Sequence, residues 1–205
     1  EPVRGVTSRA AVPSSPVSIY LPLVIKLGSS VVTAPLWRFG IGQVRRSLQA
    51  YAPTDIAAMR FGWYMDWGAS PSAPRPWTTW CVDCPYVTTA TGYTYTVSPD
   101  WNQIRALAAA NPGLLWLLGN EIERRDWYVG RQDEILPELY AQAYHDLYQT
   151  IKDADPLAQV AIGGVIQATP LRLEYLDRIW NAYQTTYSQT MPVDVWNIHA
   201  FVLQE

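Results

Sequence analysis

Three short apolar runs, LLWLL at 114–118, QVAIG at 159–163 and VDVWNIHAF at 193–201, are separated by stretches of helical period. A strand that is apolar on both faces must be covered on both faces, and a helix of a dozen or more residues between two such strands lets them lie parallel. Strand starts near residues 114, 158 and 193 leave spacings of about 44 and 35 residues, room for one crossover helix each. The chain therefore reads as α/β. Both an open doubly wound sheet and a closed (β/α)8 barrel of the TIM type use this unit.

The helices announce themselves by their start signals. Ser98-Pro99-Asp100 offers a cap, a proline for the first helical position and an acid for the first turn, ahead of Ile104, Leu107 and Ala108 on one face. Asn111-Pro112-Gly113 stops that helix. Pro137 opens a second, with Tyr140, Ala143, Tyr144, Leu147, Tyr148 and Ile151 on one stripe, ending before Pro156. Thr169-Pro170 opens a third, with Leu173, Leu176, Ile179, Trp180 and Tyr183 expected inward.

Upstream the pattern is looser. Residues 1–36 carry Pro, Ser, Val and Thr without a sustained period, and residues 1–55 are read as an N-terminal extension or arm preceding a barrel domain at 56–205. A short helix is expected at 41–52, closed by Pro53-Thr54-Asp55. MRFGWYM at 59–65 is of strand length, and YVTTATGYTYTVS at 86–98 reads as a strand plus a hairpin.

Composition narrows the function classes. With 49% hydrophobic residues in 205, the chain is long enough to bury a sizeable core. Its net charge is -3 and its Lys and Arg are scattered, so nucleic acid is not an expected partner. No apolar run reaches the roughly 18 residues of a spanning helix. A first residue of Glu1 rather than Met raises the expectation of a processed or omitted leader, and hence of secretion. Cys81 and Cys84 form a CxxC pair in a Pro-rich setting that reads as a loop, better suited to a small disulfide or free thiols than to zinc, for which His145 and His199 are poorly placed. No metal or cofactor is expected, and no GxGxxG follows a strand; Gly163-Gly164 is the nearest approach.

Polar residues gather where the apolar runs end: Asp66 after FGWYM, Asn120 and Glu121 after LLWLLG, Gln167 after AIGGVI, and Asn197 with His199 in the last run. A barrel keeps its chemistry at the C-terminal ends of its strands. Alternation places Val193, Val195, Asn197 and His199 on one face of the last strand and Asp194, Trp196 and Ile198 on the other. His199 taken alone also reads as a satisfied core histidine; its companions favour a site.

LLWLLGNEIE at 114–123 resembles the strand ending of clan A glycoside hydrolases, (β/α)8 barrels in which an Asn-Glu pair closes an apolar strand. With FGWYMDWG, VAIGGVIQATP and VDVWNIHAF, residues 59–205 are also similar to secreted barrel proteins of filamentous green (Chloroflexus-type) bacteria. The resemblance implies that Glu121 is the general acid/base and that Asn120 hydrogen-bonds the sugar beside it. It implies a carbohydrate substrate, for which Trp63, Trp67 and Trp127 are candidate stacking platforms, with Asp66, Asn197 and His199 lining the same mouth. Most of the ten tryptophans are expected in the core.

A retaining glycosidase needs a second carboxylate about 5 Å from the first. Glu123 follows Glu121 too closely to serve, and Asp66 and Glu205 are candidates by default. About five strands fit between Met59 and Phe201, whereas a full barrel takes roughly 250 residues. The expectation is the N-terminal portion of an extracellular or envelope glycoside hydrolase, active once the barrel is completed downstream. One alternative is a catalytically silent, barrel-derived carbohydrate-binding protein or scaffold subunit of a cell-envelope or membrane-associated complex; a third reading is a subunit packed against a larger assembly, with residues 1–36 as its docking arm.

Overall fold

The computed structural model describes residues 40–42, 51–65, 68–69, 78–82, 86–89, 92–124 and 133–200. In chain order these form β1 (Gly40–Gly42), α1 (Pro53–Met59), β2 (Trp63–Met65), β3 (Thr78–Val82), β4 (Tyr86–Thr89), β5 (Gly92–Tyr95), α2 (Trp101–Ala110), β6 (Leu115–Asn120), α3 (Pro137–Ala154), β7 (Gln159–Gly164) and α4 (Pro170–Tyr187).

One sheet runs in the order β1-β2-β3-β6-β7 with every pair parallel. The segment after α4 extends it through two parallel bridges, Ala161 to Val195 and Val165 to Ile198. Among the described residues the order never reverses, so they show no switch point of the doubly wound kind. Crossovers of one hand then place their helices on one face, and α2 packs on α3 and α3 on α4. Among the described residues this is an open run of parallel strands, not a closed ring. β4 and β5 form the antiparallel hairpin expected at 86–98, inserted between β3 and α2.

The core lies between β6, β7 and α3. Tyr140, Ala143, Tyr144, Leu147 and Ile151 on α3 are buried against Trp116, Leu118, Val160 and Ile162. Each large side chain so buried contributes on the order of 1.5–3 kcal/mol relative to exposure. Tyr140 also works as a pin: its hydroxyl donates to Leu118 O at 2.7 Å and accepts from Gly163 N–H at 2.6 Å, linking helix to two strands.

Several expectations are corrected. Residues 41 and 42 belong to β1 rather than to a helix, and the helix nearby begins at Pro53, because proline's fixed φ suits the first helical position. Arg60, in the left-handed region, ends that helix and delays the strand expected from Met59 until Trp63. The cap of α2 is Asp100, which exchanges hydrogen bonds with Gln103 in a capping box, two residues later than Ser98. Cys81 lies in β3, not in a loop, because its β-prone Thr-Thr-Trp-Cys-Val run pairs with β6; Cys84 lies outside the described residues. Leu173 on α4 is exposed, while Leu176, Ile179 and Tyr183 carry the buried stripe. The last apolar run makes two isolated bridges rather than a continuous strand.

Candidate active site

The apolar run of β6 ends in two unusual backbone residues. Gly119 has φ +97, and a Cβ there would approach Ile122 Cγ2 to 2.7 Å, so the position requires glycine. Glu121 has φ +50, a region that costs a non-glycine residue on the order of 1–3 kcal/mol and persists only where the surroundings enforce it. Those surroundings are specific. Arg124 N–H donates to Glu121 O at 2.9 Å, closing a turn. Asn120 N–H donates to the buried Asp133 carboxylate at 2.7 Å, and Asp133 N–H donates back to Asn120 O at 3.1 Å. Tyr175 of α4 shares its hydroxyl proton between Ile122 O at 2.9 Å and Ile135 O at 2.7 Å. Burial, reinforced by the negative charges of Glu123 and Glu138, pushes that phenol well above its ordinary range and keeps it a donor.

The neighbouring strand supplies the other wall. Gly164, at the end of β7, pairs in register with Asn120. A Cβ on Gly164 would lie 2.6 Å from His199 Nε2 and 2.9 Å from Asn197 Nδ2, so the missing side chain is what lets both residues pack over β7. The alternation expected in this segment is present: Val193, Val195, Asn197 and His199 are half-buried while Asp194, Trp196 and Ile198 are exposed. Trp196 instead stacks on Trp180 of α4, with ring centroids 6.0 Å apart.

At the centre is the Glu121 carboxylate, 4% exposed as a residue. Its Oε2 accepts from Arg124 Nη1 at 2.7 Å and its Oε1 lies 3.4 Å from His199 Nδ1. The Arg124 side chain is 46% exposed, so it covers the carboxylate from the solvent side. Glu123 points elsewhere: its Oε1 accepts from Ile166 N–H at 2.9 Å and from Arg172 Nε at 2.7 Å. Its buried Oε2 meets no hydrogen-bond donor among the described residues. No group of three or more His, Cys, Asp or Glu gathers among the described residues in a way that would hold a metal.

Of the sequence candidates, Asn120, Glu121, Asn197 and His199 come together at the C-terminal ends of β6 and β7 and of the segment beside them. Trp63 does not. Met65, Thr79, Leu115 and Gln159 are level in the sheet; Trp63 precedes Met65 by two residues, whereas Asn120 follows Leu115 by five. That puts Trp63 at the opposite end of the strands, roughly 20 Å away along their direction, where its indole packs over Gly40. Asp66, Trp67, Trp127 and Glu205 lie outside the described residues. Sequence reasoning missed Arg124, Asp133 and Tyr175, and it set Glu123 aside. Only Glu123 and Arg124, flanking the Asn-Glu pair, carried a local signal; Asp133 and Tyr175 are brought in by the fold.

No family model matches the chain, and no curated protein matches it. Among solved structures it is similar to a GH128 (subgroup II) endo-beta-1,3-glucanase from Sorangium cellulosum, with a TM-score of 0.45 and 17% identity over 72% of this chain and 55% of that one. The chain thus spans about 55% of that neighbour's length. The expected likeness to secreted barrel proteins of filamentous green bacteria finds no support in these comparisons.

Proposed function

We propose that this chain is part of a barrel-type glycoside hydrolase and that Glu121 is its general acid/base. The observation that carries the reading is the buried Glu121 carboxylate, held at a left-handed backbone position at the end of a parallel strand with His199 3.4 Å away. In this reading a sugar enters over Arg124 and displaces its guanidinium from Oε2. Glu121, having taken a proton from solvent once Arg124 is displaced, then donates it to the glycosidic oxygen while a nucleophilic carboxylate bonds to the anomeric carbon and the glycosidic bond breaks. In the second half of a retaining cycle the carboxylate takes a proton from the incoming water. Asn120, beside it, orients a sugar hydroxyl, and Asn197 lies with His199 on the far wall. The nucleophilic carboxylate is not assigned to a residue of this chain. A secreted or envelope location belongs to the same proposal; no helix among the described residues is long and apolar enough to cross a membrane.

One observation favours a second reading. Glu121 is already engaged by Arg124, and the nearby carboxylates of Glu123 and Asp133 are engaged by backbone and Arg172 rather than aimed at it. A site arranged this way suits a carbohydrate-binding or scaffold protein that cleaves nothing. Reducing-end release from β-1,3- and β-1,4-glucan, xylan and mannan, alongside sedimentation of the protein with each polymer, separates the two. Hydrolysis lost in Glu121→Gln supports the enzyme; sedimentation without hydrolysis supports the binding protein.

A further inference from the structure

Glu123 has the burial of a functional carboxylate, with its side chain 7% exposed, yet no part in the chemistry above. Its partners explain it. Glu123 Oε1 accepts the Ile166 N–H at 2.9 Å, and the carbonyl of that same peptide unit, Val165 O, accepts the His199 N–H at 2.9 Å. A trans peptide is planar and rigid, with its N–H and C=O directed oppositely. One rigid group is therefore clamped on one side by the residue two after Glu121 and on the other by the backbone of His199. Arg172 completes the clamp: its Nε donates to Glu123 Oε1 at 2.7 Å, and its Nη1 donates to Thr169 Oγ1 at 3.2 Å at the start of α4.

We infer that Glu123 is a positioning residue: through the Val165–Ile166 peptide it sets the separation of the Glu121 carboxylate from the His199 ring. A charged acceptor binds an amide N–H about twice as strongly as a neutral one and polarises the peptide, which strengthens its carbonyl toward His199. Glu121 is held on its own side by the Arg124 turn and by Tyr175, so a shift at Val165 moves His199 relative to a fixed Glu121. The inference gives the proposed active site its support; the geometry it concerns exists whatever reaction the site performs.

The chain has two histidines, which makes the test compact. Imidazole ¹H–¹⁵N spectra of the full chain contain one reporter in the site, His199, and one control, His145, bound to Tyr183 between α3 and α4. Glu121→Gln first establishes that the His199 ring signals respond to Glu121. Glu123→Ala is then expected to shift the His199 ring signals and to speed amide exchange at His199, leaving His145 unmoved. Glu123→Gln keeps an oxygen for Ile166 N–H and is expected to restore the wild-type His199 signals in large part. If Glu123→Ala does not fold, Glu123→Asp withdraws the carboxylate by one methylene and is read in the same way. Unchanged His199 signals in the Ala or Asp variant, or equal shifts of both histidines, would overturn the inference; so would a His199 that ignores Glu121→Gln. Failure of the hydrolase reading looks different, as absence of sugar release by the wild type with this histidine pattern intact.

Discussion

His199 Nδ1 lies 3.4 Å from Glu121 Oε1, joining residues 78 apart in sequence across the C-terminal end of β7, which lies between β6 and the segment that carries His199. On the proposed reading, this contact turns an Asn-Glu dipeptide into a site. On the proposed chemistry, Glu121→Gln keeps the shape and removes the proton donor. Hydrolysis of unactivated polysaccharide should fall by about 10²–10⁴-fold, with polymer binding in sedimentation retained.

The two glycines ending β7 predict different failures. A Cβ on Gly163 would sit 2.6 Å from Leu118 O and 2.6 Å from Ile122 Cγ2, and backbone cannot yield cheaply. Gly163→Ala should cost about 1–3 kcal/mol of stability, read as a lower urea midpoint. Gly164→Ala instead meets the side-chain ends of His199 and Asn197, which can move. It should lose less stability than Gly163→Ala and more of the activity.

Asp155 provides a control far from the chemistry. Buried at 3% exposure, its carboxylate accepts Gly113 N–H at 2.6 Å and Leu157 N–H at 3.0 Å, tying the β6 entry to the end of α3. Asp155→Ala leaves both donors without that acceptor and should cost about 1–3 kcal/mol. Activity per folded molecule should stay at the wild-type value.

Much of this architecture was legible because helices and buried strands write themselves in period and caps. LLWLL and QVAIG became β6 and β7, and Pro137 and Pro170 open α3 and α4 as read. The shared face of Asn197 and His199 was legible from alternation, since a period of two decides the face even where pairing shrinks to two bridges. Trp63 was misplaced because a run's composition does not give its register: Met65 is level with Thr79 and with Leu115 at the start of β6, which leaves Trp63 far below Asn120. Tyr175 and Asp133 had no local signature. Their roles come from long-range hydrogen bonds to Ile122 and Asn120 that no spacing rule encodes.

A pH prediction follows from the tyrosines. Burial raises Tyr144 and Tyr175 well above their ordinary value near 10, and Tyr148, Tyr183 and Tyr187 are raised for the same first reason. Above that pH the unfolded chain releases phenolic protons that the folded chain keeps, so the folded state binds more protons and loses stability as pH rises. The contribution is fully present below pH about 10 and is lost on going higher. Thermal unfolding followed from pH 8 to 11 should show the melting temperature falling across the upper part of that range, and Tyr175→Phe should fall less steeply than wild type.

The most direct test of Glu121 as the acid is the dependence of its loss on the leaving group. Wild type and Glu121→Gln are compared on a polysaccharide, whose departing alkoxide needs a proton, and on the matching nitrophenyl glycoside, whose phenolate leaves without one. The expected result is a large loss on the polymer and a much smaller loss in formation of the glycosyl-enzyme from the aryl substrate, seen as a burst of nitrophenolate. Equal losses on both substrates, or hydrolysis of the polymer undiminished by the substitution, would contradict the assignment.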